Sequence, residues 1–278
     1  MTSKDTIFHI QTLKSIILKN LFEVIKPYIK ETNMLITQDF IKISTLDMSE
    51  NTITYVKLDK DKFESYYCKR PIIIGLDTTT FFKAIKTANR RETITFHMSE
   101  TNPNMLGIEL ADVTAGKVKG YHLPLLNLEE KIVNIQEMDF DCVINIPTSQ
   151  FQQIIKDVHL LEGKVLEIKS VGKQLIFSST DGIAHFKTTI SEIDEEVNQD
   201  QRAMLQQNGE DIKLVRFEKS TNKIVQGKYQ MSYLMNFIKA SHLCDQMNIL
   251  LTNDKPLVLE YSIADLGILR LLLCSIDS

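Results

Sequence analysis

The sequence predicts an α+β protein of two similar halves, with more strand than helix. Three observations carry that reading. Seven stretches alternate apolar and polar residues with the period of two of a half-buried strand, four short stretches space apolar residues as a helix does, and one block of strand, helix and strands recurs. At 278 residues the chain has the length of one large or two modest domains.

The first helix is expected over 13–26, LKSIILKNLFEVIK, with Leu18, Leu21, Phe22 and Ile25 on one face; Pro27 withholds a backbone donor where it should stop. Strands follow at 40–47 (FIKISTLD) and 52–59 (TITYVKLD). A second helix, 77–88, opens on Asp77 as N-cap and buries Phe81, Phe82 and Ile85, and a strand at 93–100 (TITFHMSE) follows it. Farther along, a helix over 147–161 begins at Pro147 and Thr148 and buries Phe151, Ile154, Ile155 and Val158. Strands are expected at 164–170, 174–181 and 224–230, a helix over 231–243 on Met231, Leu234, Met235 and Ile238, and a strand at 257–265 (LVLEYSIAD). Such alternation fits antiparallel sheets with one wet face and one buried face.

The repeat sets IFHIQTLKSIILKNL, leading through FIKISTLDMSENTITYVKL, beside VINIPTSQFQQIIKDV, leading through QLIFSSTDGIAHFKTTI. The second helices correspond as well, since FFKAIKTA (81–88) and FIKASHL (237–243) both place a lysine after paired apolar residues. These limits give an N-terminal domain 1–123, a linker 124–141 that is apolar and acidic after Pro124, and a C-terminal domain 142–278.

Composition is ordinary for a globular chain, 43% hydrophobic and 24% charged, with no apolar run long enough to span a membrane and no signal-peptide stretch in MTSKDTIFHI; a soluble intracellular protein is expected. Cys68, Cys142, Cys244 and Cys274 are scattered without metal-ligand spacing and read as reduced thiols. The net charge of -4 is uneven: residues 192–211 hold seven acids against Arg202 alone, so the rest of the chain is slightly basic.

Catalytic motifs are missing: there is no phosphate-cradling glycine loop, no nucleophile elbow and no zinc-protease helix pattern. Asp194, Glu195 and Glu196 could form a metal site, as a nuclease would use, but their Gln/Asn-rich setting reads as a solvated loop. His9, His97, His122, His159, His185 and His242 are dispersed singly. No enzyme activity, cofactor or metal is expected.

Lysines form the positive pattern. Lys19, Lys26 and Lys30 recur at seven and four residues, Lys83 and Lys86 are three apart, and Lys156 and Lys239 take the comparable flank of the other two helices. Each alone reads as a solvated side chain; four helices each with lysine beside an apolar stripe make a stronger combined signal, although Glu23 and Asp157 are not excluded from the same flanks.

SIILKNLFEVIK (15–26), LDMSENTITYVKLDKDKFESYYCKR (46–70), FFKAIKTA (81–88), YHLPLLNLEE (121–130), CVINIPTSQFQQIIKDV (142–158) and PLVLEYSIADLGILRLLL (256–273) are spread along nearly the whole chain. In these stretches it resembles the eukaryotic-type DNA sliding clamp, the proliferating cell nuclear antigen family. The resemblance implies the DNA clamp fold: two similar domains of antiparallel sheet with two short helices each, three copies assembling into a closed ring. It also implies a processivity factor that surrounds double-stranded DNA without reading sequence, with Lys19, Lys26, Lys83, Lys86, Lys156 and Lys239 toward phosphate. The further partners implied are a clamp loader, and a DNA polymerase and repair enzymes carrying a short clamp-binding peptide; no membrane is involved. The peptide would meet Leu46, Ile53, Val133, Ile135, Pro256, Leu272 and Cys274.

The chain departs from the family at Leu272, usually aromatic, at Cys274-Ser275, usually Ala-Pro, and at Glu50, usually histidine. Gln153 and Ser232 stand where basic residues are usual, and Lys173 falls about one residue from the family's modifiable lysine. A nucleus, or the replication compartment of a large DNA virus, is the expected setting. The alternatives are a subunit of a heteromeric checkpoint-type clamp and a viral processivity factor that forms no ring. Ring closure by identical copies needs two complementary edge strands, for which KVKGYHL (117–123) and AHFKTTI (184–190) are the candidates.

Overall fold

The structure, a computed structural model, describes residues 5–47, 49–112, 114–129, 133, 138–192 and 214–276. The chain divides into two compact units, Met1–Ile135 with Ser262–Arg270, and Gln136–Tyr261 with Leu271–Ser278.

The first unit runs β1 (Thr6–Thr12), α1 (Ser15–Ile25), β2 (Glu31–Ile36), β3 (Phe40–Leu46), β4 (Thr52–Asp59), β5 (Ser65–Cys68), β6 (Ile72–Asp77), α2 (Thr78–Ile85), β7 (Thr93–Ser99), β8 (Met105–Asp112) and β9 (Lys117–Pro124). One antiparallel sheet has the order β5-β1-β7-β8-β9; a second antiparallel run has the order β4-β3-β2-β6. The helices bury the faces their spacing assigns, and their aromatic rings meet in the core. Phe22 of α1 stands 4.4 Å from Phe81 of α2, which stacks on Phe96 of β7 at 5.6 Å. Asp77 caps α2 as expected, its carboxylate accepting the Thr80 N–H at 2.5 Å.

The second unit repeats the plan: β10 (Cys142–Pro147), α3 (Thr148–Leu160), β11 (Val165–Val171), β12 (Gln174–Ser179), β13 (Phe186–Ser191), β14 (Arg216–Lys219), β15 (Val225–Gln230), α4 (Met231–Phe237), β16 (Gln246–Leu251), β17 (Leu257–Ile263) and β18 (Gly267–Leu273), of which the segment Ser262–Arg270 belongs to the first unit. Its strands order as β13-β12-β11-β15 and as β14-β10-β16-β17-β18.

The repeat extends to the helix ends. In the first unit Ser15, at the start of α1, donates its hydroxyl to Asn89 O beyond α2 at 2.8 Å, and Thr78, at the start of α2, donates its N–H to Lys30 O beyond α1 at 2.9 Å. In the second, Thr148 of α3 donates its N–H to Asp245 O at 3.0 Å, and Met231 of α4 donates to Lys164 O at 2.8 Å. Each helix thus uses a donor of its first turn, a backbone N–H in α2, α3 and α4 and the Ser15 hydroxyl in α1, to hold the chain that leaves its partner.

Two expectations need adjustment. The helix expected over 231–243 is α-helical only to Phe237 and continues as a 3-10 turn over Ile238–His242, where Ser241 turns its hydroxyl back on Ile238 O at 2.6 Å. The histidines are not all isolated. Cross-strand register sets His9 opposite His97, His97 opposite Gly107, and Gly107 opposite His122. The His97 ring lies over Gly107, where a Cβ would come within 2.2 Å of it, and stands 6.3 Å from the His122 ring.

The stretch PLVLEYSIADLGILRLLL forms β17, the strand expected at 257–265, then a turn and a further strand, β18. Its glycine is there for space and not for the turn, whose left-handed residue is Ala264 (φ 47°): a Cβ on Gly267 would stand 2.0 Å from Lys57 O of β4. Beside it the Leu266 carbonyl accepts the Asp59 N–H at 3.0 Å, and Asp265 pairs with Lys14 at 2.7 Å.

Candidate nucleic-acid interface and partner surface

In the first unit the helix spacing sets Lys19, Glu23 and Lys26 along one stripe of α1. Lys19 and Lys26 are half-buried, whereas Lys83 and Lys86 on α2 are exposed. Lys26 leans across to α2, its ammonium 3.7 Å from the centre of the Phe82 ring, so the packing of the two helices gathers their cations. Lys83 also helps hold the Asp77 carboxyl below the usual range, behind the larger effect of the Thr80 hydroxyl and amide. Lys19, Lys83 and Lys86 make no ion pair or hydrogen bond among the described residues.

The second unit is less basic on its helices. Lys156 of α3 is exposed, but the neighbouring Gln153 donates to Asp157 at 2.7 Å, so that flank is largely neutral. Lys239 is exposed on the 3-10 turn and donates to Asn236 Oδ1 at 3.0 Å. Gln152 ties α3 to this turn through Ser241 Oγ at 3.0 Å. Six lysines on helix surfaces, unpaired by carboxylates among the described residues, suit contact with phosphate oxygens rather than base edges.

The residues expected to meet a partner peptide fall into two sets. Leu46, 38% exposed, pairs with Ile53 at the ends of β3 and β4, and Val133 lies alongside, accepting the Ser44 hydroxyl at 2.7 Å. Because side chains alternate, Ser44, Leu46, Ile53 and Tyr55 share the sheet face that Val133 touches, which makes a small apolar patch within the first unit. In the second unit Pro256 is half-buried before β17 and Cys274 is exposed after β18. Leu272 is 3% exposed and belongs to the packed interior, not to an open wall. Ile135, and Asp194, Glu195 and Glu196 of the acidic segment, lie outside the described residues.

Lys173 is ion-paired with Glu192, whose carboxyl is held below the usual range first by that lysine and then by the Phe217 N–H. The two candidate edge strands are edges: β9 pairs only with β8, and β13 only with β12, among the described residues. Val118 on β9 is 65% exposed, and Leu160 and Ile183 of the second unit are exposed too. No local pattern of the sequence could have shown that Glu92 is a 2% exposed carboxylate paired with Lys119 of β9.

Residues 7–139 match the family model of the proliferating cell nuclear antigen N-terminal domain, and residues 134–276 that of its C-terminal domain. The chain is also similar, at 25% identity over 283 aligned residues and 100% of both chains, to "Probable DNA polymerase sliding clamp 1" of Paramecium bursaria Chlorella virus 1. With both halves matched, in order, on two units of antiparallel sheet and short helices, the chain belongs to the proliferating cell nuclear antigen family.

Proposed function

We infer that this chain works as a DNA polymerase sliding clamp, a processivity factor that does no bond chemistry and keeps a replication enzyme at high effective concentration on its template. The observation that carries the reading is the match of both domain models in order. Lysines on the helices add the electrostatics such a role needs, since sequence-independent sliding requires phosphate contacts that are many and individually weak.

In this reading three copies close a ring around duplex DNA, β9 of one copy adding to β13 of the next. Both strands have a free side among the described residues, which supports that pairing. Lys19, Lys26, Lys83, Lys86, Lys156 and Lys239 then line the hole. A loader opens the ring, and the polymerase or repair enzyme docks a short peptide on the patch of Leu46, Ile53 and Val133. A nucleus or a viral replication compartment is the setting.

The test is topological. Loaded protein should remain on nicked circular DNA at high salt and leave when the circle is cut, and the free protein should sediment as a trimer. Equal retention on circular and linear DNA, or a monomer at micromolar concentration, would overturn the ring.

A further inference from the structure

Edge strand β9 is held to the end of α2 by polar contacts that sheet pairing does not require. Glu92 is 2% exposed, and both oxygens of its carboxylate are engaged: Oε1 with Lys119 Nζ at 2.7 Å, Oε2 with the Asn89 N–H at 3.0 Å. The Lys119 ammonium, itself only partly exposed, also donates to Thr87 O at 3.1 Å. Two residues along the same face of β9, the Tyr121 hydroxyl shares a hydrogen bond with Thr87 Oγ1 at 3.0 Å. Asn89 O in turn accepts the Ser15 hydroxyl from the start of α1. The turn of residues 87–92 therefore joins the last turn of α2, the first of α1 and the inward side of β9.

We propose that Glu92 is a positioning residue for the joint between copies: through Lys119 it fixes β9 relative to α2, and so sets the angle at which a second copy of this chain adds to the free side of that strand. The inference rests on the ring reading above. A strand paired on one side only is free to twist or splay, and β9 has β8 as its sole strand partner among the described residues. Lys119 and Tyr121 point inward and occupy no backbone group that a neighbouring strand would need, so the brace and the joint act on opposite sides of one strand. Lys83 and Lys86 lie on the helix at the other end of the brace, which links the joint to the lysine-bearing surface.

A buried carboxylate facing a single ammonium is sensitive to loss of either partner, because the charge left behind is uncompensated, and removal of both charges together avoids that cost. In Glu92→Gln, Lys119 loses its counter-charge; in Glu92→Gln with Lys119→Met, neither charge remains. The experiment measures the dissociation constant of the assembled full-length protein by dilution, next to the unfolding temperature of each variant. Glu92→Gln should raise the subunit dissociation constant by about tenfold or more, and the double variant should recover most of the loss. An unchanged constant in a folded Glu92→Gln protein overturns the proposal, and so does a loss that Lys119→Met does not relieve, because a general weakening of the unit would be additive. Should Glu92→Gln not fold, Lys119→Gln, which keeps a donor for the carboxylate, tests the same brace: a raised constant supports it and an unchanged one overturns it. A wild-type protein that never assembles sinks the ring reading itself, an outcome distinct from any difference between variants.

Discussion

Replacing Lys83 and Lys86 together by glutamine removes two cations from an exposed flank of α2 and nothing else that the structure shows to be bonded. Neither has a partner among the described residues, and Lys83 contributes only a minor attraction to an Asp77 carboxylate already held by Thr80. Stability should therefore move by no more than about 0.5 kcal/mol, the usual range for surface changes. Binding should behave differently. Each lysine that neutralises one phosphate adds about 0.9 to the slope of log affinity against log salt, and a ring of three copies changes six side chains, so the slope should fall by up to about 5. Across a fourfold rise in salt these contacts account for a loss of affinity of about a thousandfold, which the variant should not show. The assay is equilibrium anisotropy of a short labelled duplex over a salt series, with the mass of each protein measured alongside. A variant that is trimeric and folded and yet keeps the wild-type slope would refute the placement of α2 toward DNA.

Truncating Leu46 and Val133 to alanine should weaken a polymerase-derived peptide by about 1–3 kcal/mol by calorimetry and leave the assembled mass unchanged, since the Val133 carbonyl that holds Ser44 is retained. Gly267→Ala should destabilise the protein by about 1–3 kcal/mol in thermal unfolding, because the new methyl meets the Lys57 carbonyl rather than a side chain that can turn away. Asp77→Ala should cost about 1 kcal/mol through the lost cap of α2, measured by denaturant titration. His97 should make stability depend on pH: burial lowers its pKa below 6.5, Glu109 at 3.6 Å opposes that, and His122 and His9 lower it further. The unfolded chain then binds the proton more readily, so the contribution is fully present above about pH 6.5 and is lost as pH falls through the folded value. His97→Gln should flatten the profile of unfolding temperature over that range, and an unaltered profile would show that another group governs it.

The fold was legible wherever a face repeats. Helix faces such as Leu18–Phe22 and Phe151–Val158 write burial at helical spacing, and β4 writes it at a period of two, so type and position could be read locally. The exposure of Lys83, Lys86, Lys156 and Lys239 was equally legible, because a cation beside an apolar stripe has one solvated direction, whereas the half-burial of Lys19 and Lys26 was not. What escaped were juxtapositions made by register between strands distant in sequence. Nothing near His9, His97 or His122 tells which strands lie side by side, and the pairing of Glu92 with Lys119 depends on a turn and an edge strand 27 positions apart. Leu272 misled for a related reason: a position matched to a family pattern carries no information about its depth, and here it is core.

The exchange of bonds between helix starts and partner tails has a dynamic consequence. A helix ordinarily frays from its ends, one turn at a time, because its terminal groups answer only to water. Here the first turn of each helix closes on the chain leaving the other, so opening α1 releases the exit of α2 and opening α2 releases the exit of α1. The same holds for α3 and α4. Within each unit the helix pair is thus one cooperative element, whose amides should exchange with solvent at a common free energy of opening. A surface that must glide over a duplex without seizing it gains from such construction: its cations stay mobile at the tips of their side chains, while the backbone that carries them yields only as a whole.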